Sequence, residues 1–194
     1  MHLAHLHWLS EHRTLSAVLS AMRQLTASLS PPCHPDDLRA LRAMLLYLSD
    51  YPERVHHAQE ESQLFRRLLG RDVELDEAIE RLHKQHGRSL SAVHRLEHLL
   101  NRAEFGQTTD VTLFRFEADR FVASYYDHMR HEEQDVLPAA EAMLGDAEWD
   151  DMAAGLANER DPLHALSVEA RYEELLSTIV RLTPAPLGLA DPHD

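Results

Sequence analysis

The chain has 194 residues, which suits one domain with a well-packed core. Its formal net charge of −14 disfavours binding to nucleic acid or to an anionic membrane surface, because both need a basic face. No apolar run approaches the roughly 18 residues of a membrane span, and the N-terminus lacks the basic and apolar regions of a signal peptide. The single cysteine cannot form an internal disulfide, so we expect a soluble, cytoplasmic protein.

Apolar residues recur every three or four positions over most of the chain, a spacing typical of amphipathic helices. Only six glycines and no hairpin signal accompany this pattern, which predicts an all-α fold. Prolines or glycines separate four predicted helices, at about residues 5–29, 36–69, 72–103 and 110–143. Four helices of this length with short connections predict an up-down-up-down four-helix bundle over residues 1–145.

Two shorter helices are predicted after the bundle, within residues 146–182. We expect this helical C-terminal extension to pack on the bundle or to form the contact of a homodimer. The last residues, 183–194, combine prolines with small and polar residues, and are expected to form a disordered tail.

Two predicted helices repeat the same pattern of histidine and glutamate. One reads HHAQEESQLF from His56, and the other reads HMRHEEQDVLP from His128. Aligning the two histidines places Glu60 on Glu132, so each stretch holds a histidine and a glutamate four residues apart. Side chains at that spacing share one face of a helix. Each pair therefore offers an imidazole nitrogen and a carboxylate to one metal ion.

The other two helices of the bundle each add one histidine to the predicted interior. His86 lies near the middle of the apolar stripe of the third helix, and His12 lies within the stripe of the first. Neutral imidazole is a common ligand of transition metals. The sequence therefore brings one histidine from every helix of the bundle towards its interior.

The second helix leaves two choices open because Pro52 is expected to kink it. Apolar residues after the proline fit an inward pair of His57 and Glu61 as well as a pair of His56 and Glu60. Only the match with the fourth helix favours the latter pair.

Two neighbouring residues are candidates for a supporting role. Tyr125 lies one turn before His128, where it either donates a hydrogen bond to a metal-bound oxygen or serves as a core aromatic. Glu53 lies three residues before His56, where it either accepts a hydrogen bond from an imidazole or remains a solvated charge.

Four imidazoles and two carboxylates are enough to hold two divalent ions, with the carboxylates bridging and positions left open for a small ligand. This mixed nitrogen and oxygen set favours iron or manganese over a closed, thiolate-rich zinc site. A metal-free interior would bury two carboxylates at a cost of several kcal/mol each. A ferritin-like site is disfavoured, because it needs an inward glutamate on each of the two remaining helices and the first offers only Glu11.

These stretches resemble the hemerythrin-like, or HHE cation-binding, family, as do SEHRTL around His12 and KQHGRSL around His86. The resemblance covers about residues 5–143. It implies a non-haem di-iron centre, oxo- or hydroxo-bridged, with manganese or zinc as alternative metals. The ligands that it implies are His12, His56, Glu60, His86, His128 and Glu132.

The spacing differs from that of the oxygen-carrying members of the family. The chain has His83-x2-His86 where the carriers have His-x3-His, and His128-x3-Glu132 where they have His-x4-Asp. The pattern is closer to the branch linked to nitric oxide handling, repair of iron–sulfur clusters and iron or oxygen sensing. The resemblance therefore implies a protein that binds or senses O2, NO, peroxide or iron itself. A redox enzyme that turns over these ligands, or one that aids iron–sulfur cluster repair, is the alternative.

Overall fold

The computed structural model describes residues 2–158 and 162–183, with side chains for residues 2–157 and 172–183. Every regular element in these ranges is helical, as the sequence predicts. Most of the predicted tail, residues 184–194, lies outside the described residues. The described ranges contain six helices: α1 (Leu3–Ser28), α2 (Pro35–Tyr51, continuing to Leu68), α3 (Val73–Phe105), α4 (Thr108–His131, continuing to Met143), α5 (Asp146–Asn158) and α6 (Pro162–Leu182).

Helices α2 and α4 change from α-helical to π-helical hydrogen bonding at the repeated histidine–glutamate pairs. Such π segments occur often at functional sites, and they change which residues face a neighbouring element. Pro52, the residue predicted to kink α2, begins the first of these segments. The three π segments are Pro52–His56 and Glu60–Phe65 in α2, and Glu132–Val136 in α4.

Local sequence signals explain where the third and fourth helices of the bundle begin. The Asp72 side chain accepts a hydrogen bond of 2.9 Å from the backbone N–H of Leu75 and caps the start of α3. Gln107 and Asp110 form a reciprocal capping box at the start of α4. Between α2 and α3 the chain turns at Gly70, whose φ of +81° is a conformation that glycine adopts without steric cost.

Two apolar clusters fill the interior, and a polar layer lies between them. In α1, Trp8 belongs to the smaller cluster and Leu15 to the larger, with His12 between them. Along α1 and α3 the chain runs from the smaller cluster to the larger, and along α2 and α4 it runs back. The up-down-up-down order remains a prediction, and this alternation supports it.

The first four helices form a closed ring, in which α1 and α3 each pack against both α2 and α4. Helix α5 packs against α1 and the end of α2, and its Trp149 is buried. Helix α6 packs against α2, where the Tyr172 ring lies 4.9 Å from the ring of Tyr51. None of the described helices combines the length and apolar character needed to cross a membrane.

Candidate metal centre

The six predicted ligands lie together in the polar layer between the two apolar clusters. Every one of them is buried, with at most 7 % of its surface exposed. The structure thus brings together residues from four helices that are far apart in the chain. Their donor atoms fall into two overlapping groups, which share two carboxylates: His12, His56, Glu60 and Glu132 in one, and His86, His128, Glu60 and Glu132 in the other.

We refer to the pair His12 and His56 as subsite A, and to the pair His86 and His128 as subsite B. Glu60 faces both subsites with different oxygens. Its Oε1 lies 3.4 Å from Nε2 of His56 and 3.8 Å from Nε2 of His12, whereas its Oε2 lies 3.5 Å from Nε2 of His86. A carboxylate in this position can bridge two metal ions, one on each side.

Glu132 divides its oxygens between the subsites in the same way. Its Oε2 lies 3.3 Å from Nε2 of His12, and its Oε1 lies 3.0 Å from Nε2 of His128 and 3.6 Å from Nε2 of His86. Glu60 and Glu132 therefore both lie between the four imidazoles, where each could bridge two metal ions. The assignment of these six residues as metal ligands remains a prediction, and the geometry is what that prediction requires.

Each of the four imidazoles is held from behind by a side-chain oxygen. Because carboxylate and amide oxygens only accept hydrogen bonds, the Nδ1 atom of each ring must donate, which leaves Nε2 free to face the centre. This arrangement fixes both the tautomer and the orientation of each ring. The four hydrogen bonds run from His12 to Glu133 (2.9 Å), from His56 to Glu11 (2.8 Å), from His86 to Glu61 (3.0 Å) and from His128 to Gln85 (2.8 Å).

These four acceptors are chain neighbours of predicted ligands, and each one serves a ligand of another helix. Glu11 precedes His12 on α1 and accepts from His56 on α2. In the same way, an acceptor on α2 serves His86 on α3, an acceptor on α3 serves His128 on α4, and an acceptor on α4 serves His12 on α1. The polar layer is therefore a closed ring of hydrogen bonds around the bundle.

Several buried polar atoms inside this ring have no hydrogen-bond partner. The buried atoms without a hydrogen-bond partner include Nε2 of His12 and of His56, Oε2 of Glu60 and both carboxylate oxygens of Glu132. Buried polar atoms are nearly always paired in proteins. One or two cations at the centre would bind these atoms, so the residues present fit a metal pair.

The carboxylates shift the pKa of the histidines that face them. Burial lowers the pKa of His12, but hydrogen bonds to Glu132 and Glu60 outweigh it and raise this pKa to about 11. In the same way, burial lowers the pKa of His86, but Glu132 and Glu60 raise it to about 9. Protons on these rings therefore balance the two carboxylates when no metal does so.

A fifth histidine, His57, lies beside subsite B and is 4 % exposed. Its ring stacks on the ring of His86, with centroids 3.9 Å apart and an angle of 15° between the planes. Burial lowers the pKa of His57 to about 4, so its ring is neutral at physiological pH. The structure buries both candidate histidines of α2, at a place where one π segment ends at His56 and the next begins at Glu60.

The alternative pair of His57 and Glu61 does not replace His56 and Glu60 at the centre. Glu61 is about one third exposed and accepts hydrogen bonds from His83 and His86 on the outer side of the ring. His56 and Glu60 are instead the α2 residues that share a donor group with Glu132.

Both candidates for a supporting role lie against His57. The Tyr125 hydroxyl is 3.3 Å from Nε2 of His57, and Oε1 of Glu53 is 3.5 Å from its Nδ1. Glu53 is therefore placed beside His57, while the acceptor for His56 is Glu11. Burial raises the pKa of Tyr125 well above its usual value, which keeps its hydroxyl protonated.

A cavity of about 260 Å³ leads from the surface to subsite B. It lies between α3 and α4, and both histidines of subsite B form part of its wall. Subsite A does not contribute to this wall. The lining residues are His57, Gln85, His86, Arg88, Ser89, Ala92, Phe121, Ser124, Tyr125 and His128.

Comparison with protein families agrees with this geometry. The family model of the hemerythrin HHE cation-binding domain matches residues 5–140. The chain belongs to this hemerythrin family. No curated protein and no solved structure matches the chain significantly. The family resemblance predicted from the histidine–glutamate pairs is confirmed, and the matched range contains all six predicted ligands of this hemerythrin domain.

Several residues of the site were missing from the sequence-based prediction. It did not assign Glu61, Gln85 or Glu133 as acceptors behind the imidazoles, and it considered Glu11 only as a ligand. One signal was available, because each of these residues is adjacent to a predicted ligand in the chain. The pattern of a ligand next to a second polar residue on all four helices is the feature that points to them.

Proposed function

We propose that this hemerythrin-domain protein holds a pair of iron ions and uses them to bind or sense a small ligand, such as O2, NO or peroxide. The placement of Glu60 and Glu132 carries this proposal, since each presents one oxygen to each subsite. A mononuclear site would not need two carboxylates shared between two pairs of imidazoles.

His12 and His56 would hold one ion, His86 and His128 would hold the other, and the carboxylates would bridge the two. An iron pair supplies a binding position for a small ligand and one-electron redox chemistry. The protein contributes a buried, pre-oriented set of donors and a cavity that reaches subsite B. Manganese or zinc in place of iron would fit the same donors with different redox properties.

A redox enzyme that turns over peroxide, O2 or NO is the second candidate. The cavity favours an enzyme, because it offers a path by which a substrate can reach the centre and a product can leave. The two candidates differ in the number of cycles, because a sensor reacts once for each reduction whereas an enzyme consumes substrate continuously when an electron donor is present. We propose the binding or sensing role, with an up-down-up-down bundle as its scaffold.

Metal analysis of the protein purified without a histidine tag tests the proposal. We expect about two iron ions per chain, one for each pair of imidazoles, together with a visible absorption band that bleaches with dithionite and returns in air. Zinc alone, or less than one metal ion per chain after reconstitution with ferrous iron, would contradict it. Peroxide consumption over many cycles with an added reductant would favour the enzyme instead.

A further inference from the structure

Another cavity, of about 280 Å³, lies between α1 and α4 and shares no lining residue with the cavity beside subsite B. We refer to it as the α1–α4 cavity. Along α1, its Thr26 follows His12 by fourteen residues, which is about 21 Å at a rise of about 1.5 Å per residue. The α1–α4 cavity is therefore separate from the candidate metal centre. Its lining consists of Arg23, Thr26, Ala27, Arg115, Phe116 and Asp119.

The two arginines of this lining, one from each helix, have no acidic partner. Among the described residues, neither Arg23 nor Arg115 takes part in an ion pair, although acidic residues far outnumber basic ones in the chain. The guanidinium carbon of Arg23 lies 5.8 Å from the centre of the Tyr126 ring on α4, a cation–π contact that keeps this charge between the two helices. Guanidinium groups bind carboxylates and phosphates with paired hydrogen bonds. The α1–α4 cavity therefore offers two cations to an anionic ligand.

A hydroxyl group in the wall of the α1–α4 cavity also has no partner. Thr26 is only 3 % exposed, and its Oγ1 is one of the buried atoms without a hydrogen bond. Threonines within helices can donate to the backbone oxygen four residues earlier, as Thr14 does to Ser10. Buried polar atoms are nearly always paired. An unpaired hydroxyl one turn from Arg23 therefore gives a second, independent indication that the α1–α4 cavity receives a polar ligand.

The charge of the lining favours a ligand with one negative charge. Asp119 is the acidic residue of the lining, and it forms no ion pair with any residue that the structure describes. Together with the two arginines it gives the lining a formal charge of +1. An ion with two or more negative charges would be repelled by Asp119, so a carboxylate suits the α1–α4 cavity better than a phosphate does.

An apolar surface adjoins these charges. Phe116 is 58 % exposed at the edge of the α1–α4 cavity, and the surface continues along α4 to Leu113, which is 37 % exposed. A large apolar side chain that is exposed beside cations suits a ligand with an apolar body as well as a charged group. The volume of about 280 Å³ lies near the lower end of ligand pockets, which begin at about 300 Å³. The ligand is therefore a small organic molecule.

We propose that the α1–α4 cavity binds a small organic monocarboxylate. The carboxylate group lies between Arg23 and Arg115, with the Thr26 hydroxyl as a further donor, and the apolar body packs on Phe116. This site is additional to the proposed function and does not depend on the metal pair.

Isothermal titration calorimetry with benzoate at low ionic strength tests the inference. Benzoate combines a single carboxylate with a flat apolar ring. Benzyl alcohol retains the ring without the charge, and acetate retains the charge without the ring. Each should bind at least about tenfold more weakly than benzoate, because each loses one of the two kinds of contact. Inorganic phosphate tests the preference for one negative charge, and it too should bind more weakly than benzoate.

Three variants test the residues. Arg115→Gln should weaken benzoate binding about tenfold, since it removes a hydrogen bond between two charged groups. Thr26→Val should weaken binding about three- to fivefold, since it removes a neutral donor while keeping the shape of the side chain. Phe116→Ala should weaken it about fivefold through the loss of apolar contact. Far-UV circular dichroism checks that each variant remains helical.

Two matched variants serve as controls, and both should retain the benzoate affinity of the unaltered protein. Arg39→Gln removes an exposed arginine of α2 that does not line the α1–α4 cavity. Phe105→Ala removes a phenylalanine at the end of α3 that is 87 % exposed.

Several results would overturn the inference. These are an absence of benzoate binding at millimolar concentration, an unchanged affinity in Arg115→Gln, and a tighter binding of phosphate or benzyl alcohol than of benzoate. A carboxylate can also bind a metal ion, so benzoate is titrated into His128→Ala as well. Unchanged affinity in this variant is expected, whereas a loss of binding would place benzoate at the metal centre and overturn the inference. Because none of these results depends on the number of iron ions, the inference and the proposed function fail separately.

Discussion

Subsites A and B present the same donors to a metal ion, but their surroundings differ. Each has two imidazoles and one oxygen from each of Glu60 and Glu132. Both imidazoles of subsite A donate to carboxylates, whereas in subsite B one of the two acceptors is the neutral amide of Gln85. The cavity reaches subsite B and not subsite A.

This comparison shows that two subsites with the same predicted ligands can differ in the residues that surround them. A carboxylate behind an imidazole increases its basicity and favours a more highly charged metal ion. We therefore expect subsite A to bind a metal ion more tightly than subsite B. Subsite B combines a less basic environment with access from outside, which suits the ligand position proposed above.

The largest effect is expected for the carboxylates that join the two subsites. Glu132→Ala should lose both metal ions, because both subsites use this side chain. His12→Ala and His128→Ala should each lose one ion and retain about one per chain. Elemental analysis measures the stoichiometry, and far-UV circular dichroism checks that the helices remain. If Glu132→Ala retained one metal ion, only one of the two subsites would depend on Glu132, and the comparison would be wrong.

The pH dependence of metal binding should be the next largest effect. His12 and His86, with pKa values of about 11 and 9, carry protons at neutral pH when no metal is bound, and a metal ion must displace them. Affinity should therefore rise with pH, by about tenfold per unit for each displaced proton. Over two units above pH 6.5 this amounts to about a hundredfold for each proton that the metal ion displaces.

The pH dependence of metal affinity should differ between the subsites at the upper end of the pH range. The rise for subsite B should flatten as the pH approaches the pKa of His86, about 9, whereas subsite A should continue to gain affinity. Competition with a chelator of known pH dependence gives both affinities. Affinities that do not change between pH 6.5 and 8.5 would show that the rings are not protonated in the metal-free protein.

The smallest effect is expected from the residues behind the imidazoles. Glu11→Gln retains an acceptor for His56 but removes its charge, and should weaken subsite A by about tenfold. Gln85→Glu is the reciprocal change and should strengthen subsite B by a similar factor. Stepwise metal titration of both variants measures the difference between the subsites. The comparison is wrong if Glu11→Gln weakens subsite B instead.

Gln24→Ala provides the control for these changes. The Gln24 side chain is exposed and donates to Ser20 on its own helix, so its loss should leave both affinities unchanged. A change of affinity in this variant would indicate that the measurement responds to surface charge or stability and not to the centre.

Much of the centre was predictable because it depends on spacing along single helices. The apolar stripes place His12 and His86 in the interior, and the four-residue spacing places His128 and Glu132 on one face. The repeat of that pair favoured His56 over His57, and His56 is the residue that lies with the carboxylates. Helical periodicity is a local property, so the sequence contains it.

The partners between helices were not predictable from spacing. Nothing in the order of residues says that Gln85 reaches His128, or that Glu133 reaches His12. These contacts depend on the rotation and height of one helix relative to the next, which side-chain packing in the two apolar clusters decides. Residue spacing also could not predict that His57 is buried beside His56, because a regular α-helix separates adjacent residues by about 100° around its axis.

By itself, the sequence determined that the described residues are helical wherever they form regular structure, that the chain belongs to the hemerythrin family and that four histidines and two glutamates face the interior. These properties follow from periodicity and from short motifs, which are encoded locally. Only the tertiary structure decided that the carboxylates lie between two pairs of imidazoles, that a closed ring of hydrogen bonds orients those imidazoles, and that the cavity between α3 and α4 adjoins subsite B. The physical reason is that these features depend on the relative positions of helices, which are set by the packing of the whole core.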